Sequence, residues 1–396
     1  MAEPAAKTHH LPAGVWALGL VSMLTDISTE MVSGLLPVFL ITGLGASASL
    51  VGLIEGLAGA TTMVVKVFSG SLSDYLGRRK PLVLGGYLLS ALAKPLLAMA
   101  PGIGSIASAR IMDRMGKGVR DAPRDALIAD ITHGSVRGAA FGLRQALDTM
   151  GAFIGPLLAM GLMLLWANDY RAVFWAAAIP SALAVVLMYL GVREPHRPKT
   201  LAAFNPLTRS NLAQLDAAYW WLVAVGATFT LARFSEAFLV LRAQQDGLPL
   251  AWTPLVLIAM NLVYATLAYP FGKFSDHANP KHLLGAGLLV LIAADVLLAR
   301  GGAGIWGGIA LWGLHMAMTQ GLLSAMVAGA APPHLRGTAY GLFYLVSGLA
   351  LLAASALAGL LWDARGAPAT FMAGALISAL ALLLLWFKPA FAARAH

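Results

Sequence analysis

The chain has 396 residues, of which 59% are hydrophobic and only 11% charged, with a formal charge of +9. A soluble domain carries about 25% charged residues, so a single water-soluble globule is excluded and much of the surface must face lipid. There is no cysteine, which excludes a disulfide framework and a thiolate metal site.

The polar residues 1–11 run straight into a long apolar segment without a small-residue cleavage site, so no removable signal peptide is expected. Apolar runs of spanning length then predict helices over 14–40, 48–72, 81–100, 104–128, 138–166 and 171–192. Beyond a polar stretch, six more follow over 217–241, 252–274, 282–300, 305–330, 338–362 and 369–388. The expected fold is an all-α membrane protein: twelve transmembrane helices in two six-helix bundles. Residues 1–192 form the first bundle, 193–216 a cytoplasmic linker and 217–396 the second bundle. The linker opens Arg193-Glu194-Pro195-His196-Arg197-Pro198-Lys199, and its proline and charge content suits a tether.

The fourth span is dense with charge, and hydropathy alone would not select it. Internal repetition does. The turn Gly70-Ser71-Leu72-Ser73-Asp74-Tyr75-Leu76-Gly77-Arg78-Arg79-Lys80 returns in worn form as Gly272-Lys273-Phe274-Ser275-Asp276, and Gly70 to Gly272 and Asp74 to Asp276 are both 202 residues. The segment beginning Arg137-Gly138 returns as Arg336-Gly337, an offset of 199. One helix pair must fit between each turn and each Arg-Gly segment. Thr29-Glu30 is echoed by Ser235-Glu236.

The 27 lysines and arginines test the orientation: 14, including Arg78, Arg79 and Lys80, fall on one face of the twelve-helix arrangement and 4 on the other, the rest lying inside helices. The positive-inside rule therefore places both termini and the 78–80 turn in the cytoplasm. It also removes the reason to expect nucleic acid as a partner, since these cations sit in short loops of a spanning protein.

An ionisable side chain at membrane depth costs roughly 2.5–3.5 kcal/mol on insertion scales, and is a functional candidate by default. Helix four carries Arg110, Asp113, Arg114, Lys117, Arg120, Asp121, Arg124 and Asp125, which at about 100° per residue share an arc of roughly 140°. Met112, Met115, Val119, Ala122 and Ala126 occupy the opposite face. Asp26 and Glu30 are four apart on helix one, as are Arg144 and Asp148 on helix five, where Gly151 and Gly155 continue the stripe and permit close approach of another backbone. Glu55 and Lys66 share a face of helix two. A carboxylate in a partly dry cavity beside a mobile cation can take up a proton when the cation leaves. This makes Asp26, Glu30 and Asp148 the candidates for proton coupling.

The chain resembles the major facilitator superfamily over essentially its whole length. Gly70, Asp74, Gly77, Arg78 and Lys80 match the family's loop between helices two and three. Arg114-Met115-Gly116-Lys117-Gly118 resembles its helix-four arginine signature, with Lys117 where a glutamine is usual. Gly151-Ala152-Phe153-Ile154-Gly155-Pro156 resembles its helix-five antiporter motif, with Ala159-Met160 where two small residues are usual. Residues 25–31 and 116–130 look like a widespread bacterial subgroup of unassigned substrate. The resemblance implies a central cavity between two halves and alternating access, with helices one, two, four and five lining the cavity on the N-terminal side. Glu55, Arg114, Lys117, Arg120, Asp121 and Arg144 are its expected cavity residues there. Arg233, Glu236, Tyr264, His315, Gln320 and Tyr344, with Asn261, Tyr340 and Ser347, are those of the second half. Gly70, Asp74, Gly77, Arg78, Lys80, Arg124 and Asp125 form a cytoplasmic gate that would lock the outward-open state, with Asp74 expected to meet Arg124 and Arg78 or Arg79 to meet Asp125 or Asp130. The alternative for that cluster is paired charge that fixes helix packing.

The expected function is secondary active transport of a small solute, first as proton-coupled efflux by antiport. Import of an organic anion or siderophore-like compound, export of a divalent metal, and a non-transporting receptor are the alternatives. No His-x-x-His pair lies inside a helix, so no metal site is assigned, and the absence of a Gly-x-x-x-x-Gly-Lys-Ser/Thr loop argues against ATP-driven pumping or another enzymatic role. The expected partners are the small-molecule substrate, protons and the lipid bilayer, for a monomer with no cofactor.

Overall fold

The computed structural model describes residues 11–133, 136–194, 214–275, 278–331 and 335–386, and among these there is no strand. In the first half α1 (Ala13–Ser33) continues through a short turn, Leu36–Val38, and a π-helical turn, Phe39–Gly43. It is followed by α2 (Ala48–Leu76), α3 (Lys80–Met99), α4 (Ile103–Ile131), α5 (Arg137–Leu165) and α6 (Tyr170–Gly191). In the second half α7 (Ala217–Ala232) breaks and resumes as a separate segment, Ala237–Gln245. Then come α8 (Leu255–Ser275), α9 (Pro280–Arg300), α10 (Gly304–Ala330), α11 (Arg336–Arg365) and α12 (Ala367–Trp386). Among the described residues, ten helical stretches are long and apolar enough to cross a membrane. The other two long helices are α4, whose charges lower its hydropathy, and α10. Most of the expected linker (195–213), and Asp276 of the second turn copy, lie outside the described residues.

Short polar side chains start several helices by accepting the free amides of the first turn. Ser47 accepts from Leu50, Asp169 from Arg171 and Ala172, and Asp216 from Tyr219. Gly77 ends α2 in the left-handed region, at φ 63, which a residue with a Cβ adopts only at a cost.

The packing repeats at an interval of six helices. In the first half α1 packs on α5 and α6, α4 on α2 and α3, and α3 on α6. In the second half α7 packs on α11 and α12, α10 on α8 and α9, and α9 on α12. Between the halves, α2 lies along α11 and α5 meets α8.

Three apolar cores report how the halves meet. One is confined to the first half at the end bearing the 78–80 turn, around Leu18, Tyr87, Leu127 and Met188. A second is confined to the second half, around Tyr219, Leu284, Leu322 and Phe343. The third joins both halves at the far end, uniting Leu36, Phe39, Val51 and Phe174 with Phe238, Leu257, Trp312 and Phe371. The halves are therefore sealed together at the far end and apart at the turn end. The α2–α11 seam makes the seal: a Cβ on Gly52 would lie 2.1 Å from the Ser355 carbonyl, and one on Gly56 3.1 Å from the Leu352 carbonyl. At the rim, the Asp363 carboxylate of α11 accepts the first amides of α2, Ala48 at 2.9 Å and Ser49 at 2.8 Å.

Candidate functional site

A cavity of ≈ 330 Å³ lies between the halves under this seal. Glu30, Ser33 and Pro37 line it from α1 and its continuation, Glu55, Gly59, Thr62 and Met63 from α2, and Arg110, Arg114 and Lys117 from α4. The second half contributes Glu236, Ala237 and Val240 at the α7 break, Leu257 of α8 and Leu351 of α11. Glu30 and Glu236, the two glutamates of the sequence echo, thus face one space from opposite halves.

α4 carries most of this chemistry, and its burial is inverted relative to a soluble helix. Arg110, Asp113, Arg120, Asp121 and Arg124 are buried, whereas Met115 is 37% exposed. Such a helix is tolerated only where its charges find partners or an aqueous space. Toward the far end, Arg110 donates to both Glu55 carboxylate oxygens at 2.9 Å and lies 3.8 Å from Asp113. Asp113 in turn pairs with Lys94 of α3 at 3.1 Å. In the middle, Gly116 abuts α3 and Gly118 abuts α2, where added Cβ atoms would fall 2.6 Å from the Gly86 carbonyl and 2.8 Å from the Thr62 carbonyl. α4 is thereby wedged between two helices, and the intervening Lys117 is left facing the cavity. Arg114 donates to the Ser33 hydroxyl at 3.3 Å.

Toward the turn, Arg124 reaches Asp125 at 3.1 Å, Asp121 at 3.7 Å and the Ser22 hydroxyl of α1 at 3.0 Å. Arg144 of α5 pairs with Asp148 at 2.6 Å and lies 3.9 Å from Asp125. Asp26 faces α5, where Cβ atoms on Gly151 and Gly155 would approach the Cβ atoms of Asp26 and Glu30 to 3.0 and 2.9 Å. The charges around Asp26 are Lys117, Asp148, Glu30 and Arg120.

The structure separates several residues that the sequence placed together. Arg120 does not line the cavity: it donates to Ser90 at 2.7 Å and lies 4.8 Å over the Tyr87 ring, held by α3. His315 is a core residue, fully buried, its Nδ1 2.9 Å from the Gly287 carbonyl and its ring stacked 5.2 Å from Phe229. Tyr264 and Gln320 border a separate ≈ 160 Å³ recess between α8 and α10. Tyr344 lies under Lys66, 5.3 Å from its ammonium. Arg233, at the α7 break, shares the electrostatic surroundings of Glu236 and Tyr264.

The turn cluster also differs from expectation. Asp74 meets Arg79 at 3.0 Å rather than Arg124, because Arg124 is drawn to Asp121 and Asp125 on its own helix. Arg79 does reach Asp130, at 2.7 Å. Lys80 donates to the carbonyls of Tyr189 and Val192, and Glu194 accepts from the Arg79 and Lys80 amides. Arg78 is exposed, and a Cβ on Gly70 would touch Ala122. These contacts all fall within the first half and the start of the linker, whereas the joint between the halves lies at the opposite end. Buried charge also occurs away from the cavity-lining helices of the first half: Lys94 on α3 and Asp295 on α9 are both fully buried. Arg110 was recoverable from sequence, since it precedes Arg114 by four residues and Lys117 by seven, on one helical face. Lys94 left no signal beyond one cation in an apolar run.

The model of the Major Facilitator Superfamily matches residues 18–354 and 253–395. The chain belongs to the major facilitator superfamily. An uncharacterised MFS-type transporter of Methanocaldococcus jannaschii is 33% identical over 387 residues, covering 95% of each chain. The multidrug resistance protein MdtH of Aeromonas salmonicida is 29% identical over 294 residues, 72% of this chain and 71% of that one. Among solved structures, a POT family transporter in complex with a thioalcohol-conjugated peptide superposes with a TM-score of 0.80 at 13% identity, over 94% of this chain and 95% of that one. This major facilitator protein is therefore a multi-pass membrane transporter, and its fold is the family's.

Proposed function

We propose that the protein moves a small solute across the bacterial inner membrane by alternating access, driven by protons, with efflux by antiport as the direction. Two bundles, 1–192 and 217–396, rock about the cavity, with 193–216 as their tether and twelve spans in all. The observation that carries this reading is the charged cavity bounded by both halves, sealed at one end by the α2–α11 seam. Placing the 78–80 turn in the cytoplasm by the positive-inside rule makes the observed state cytoplasm-open. The helix-five motif supports antiport, and the relative named for multidrug resistance supports efflux.

Coupling is assigned to Asp26, Glu30 and Asp148. Lys117 lies among Asp26, Glu30, Asp121 and Glu236, with no ion pair within 4 Å among the described residues. It is free to trade one carboxylate for another as the halves move, and the carboxylate it leaves becomes the proton acceptor. The test is flux in proteoliposomes under an imposed pH gradient. Asp26→Asn, Glu30→Gln and Asp148→Asn should each abolish the gradient-driven component while leaving counterflow. Three neutral variants that all keep full pH-driven flux would reject the assignment.

A further inference from the structure

The charges of the cavity separate into two groups. Glu55, Arg110, Asp113 and Lys94 form a closed chain of alternating sign, each partner within 4 Å of the next. That chain is complete within the protein and asks nothing of a ligand. Arg114, Lys117, Glu30 and Glu236 differ. The Arg114 side chain has the Ser33 hydroxyl as its described partner, and the side chains of the other three have neither an ion pair nor a hydrogen bond among the described residues. Both cations, Arg114 and Lys117, sit on α4 of the first half, and Glu236 lines the same cavity from the α7 break of the second. Arg233 and Tyr264 share Glu236's surroundings but do not line the cavity. Between the charged ends the walls are apolar: Pro37, Met63, Val240, Leu257 and Leu351.

We propose that the cavity takes a zwitterionic solute, its anionic group held between Arg114 and Lys117 and its cationic group at Glu236 across the cleft. The inference rests on this cavity being the transport site and adds the class of its substrate. A solute with only one charge would engage one wall and bring no counter-charge to the other. A zwitterion with an apolar spacer satisfies both walls, and it does so only while both halves grip it. The ≈ 330 Å³ volume falls at the small end of ligand pockets, about 300–1,000 Å³.

The probes are ω-amino acids with two to seven methylenes, their methyl esters (cation alone) and their N-acetyl forms (anion alone). Binding is measured calorimetrically on the purified full chain in detergent. At least one free amino acid should bind tenfold or more tightly than both of its blocked forms. Glu236→Gln should erase its advantage over the N-acetyl form, Glu236→Asp should restore it, and Arg114→Gln with Lys117→Gln should erase its advantage over the ester. Blocked forms that bind as well as the parent, or a series with no binding member, would overturn the proposal. Flux separates the two readings. An amino acid that binds with this selectivity but shows no saturable flux in proteoliposomes rejects the transporter, not the zwitterion site. Saturable flux of singly charged solutes with no preference for the zwitterion rejects the site alone.

Discussion

Gly52→Ala should drive the halves apart at the far end. The added Cβ would lie 2.1 Å from the Ser355 carbonyl and 3.0 Å from the Phe238 ring, and ordinary contact begins near 3.4 Å. Relief of the carbonyl contact therefore needs a shift of about 1.3 Å between two backbones, which no side-chain rotation can supply. Overpacking of this kind costs about 1–3 kcal/mol, which lowers the sealed population roughly 5- to 150-fold. The same change in an isolated helix would favour folding by about 1 kcal/mol, so destabilisation of the seal cannot be confused with loss of helix propensity. The chain has no cysteine, so spin labels at Thr42→Cys and Gln245→Cys, exposed positions on opposite halves near the seal, report the distance without background. The variant should move the distribution to longer distances, whereas Gly104→Ala, where nothing lies within 4 Å, should leave it unchanged. Identical distributions for Gly52→Ala and the parent, with unchanged melting, would refute the reasoning.

Asp363→Ala removes the carboxylate that caps α2 from the other half, and a lost cap costs about 0.5–2 kcal/mol; the same label pair should shift to longer distances, by less than with Gly52→Ala. Arg110→Leu alone leaves the Glu55 carboxylate buried without its ion pair, at about 3–5 kcal/mol, so it should melt lower in detergent than the Glu55→Leu/Arg110→Leu double. Gly155→Ala places a Cβ 2.6 Å from the Ile27 carbonyl, pushing α5 off α1 beside Glu30. It should lower gradient-driven flux while membrane insertion is retained, whereas Gly161→Ala, with open space around it, should not.

The helices were legible because each spanning run is long, apolar and bounded by turn residues. The fourth was recovered only through the repeated turn and Arg-Gly segment, and its burial pattern confirms that its polar arc faces inward. The Arg79–Asp130 contact followed from the two charges sharing one end of the bundle, and the close approach of α1 at Gly151 and Gly155 from a four-residue glycine stripe. Arg120 escaped because its place depends on which neighbour lies beside its arc, and only the α3–α4 crossing at Gly86 and Gly116 brings Tyr87 and Ser90 to it. Asp74 was assigned the wrong arginine because local reach within a turn and within one helix outweighed the longer contact. The α2–α11 seam left a readable trace in Gly52, Gly56 and Gly359, small residues that mark close backbone approach between helices. Nothing in one chain, however, says which distant helix fills such a groove.

The carboxylate bridge at the rim has a consequence for solvent. Each time the bundles separate there, two amides at once lose their acceptor, and in an exposed position only water can replace it. Opening is then a hydration step, with several molecules ordered where one side chain had served. Excluded solutes such as sucrose, which penalise newly wetted surface, should act on this carrier as inhibitors that bind nowhere, holding the rim shut in proportion to osmotic pressure.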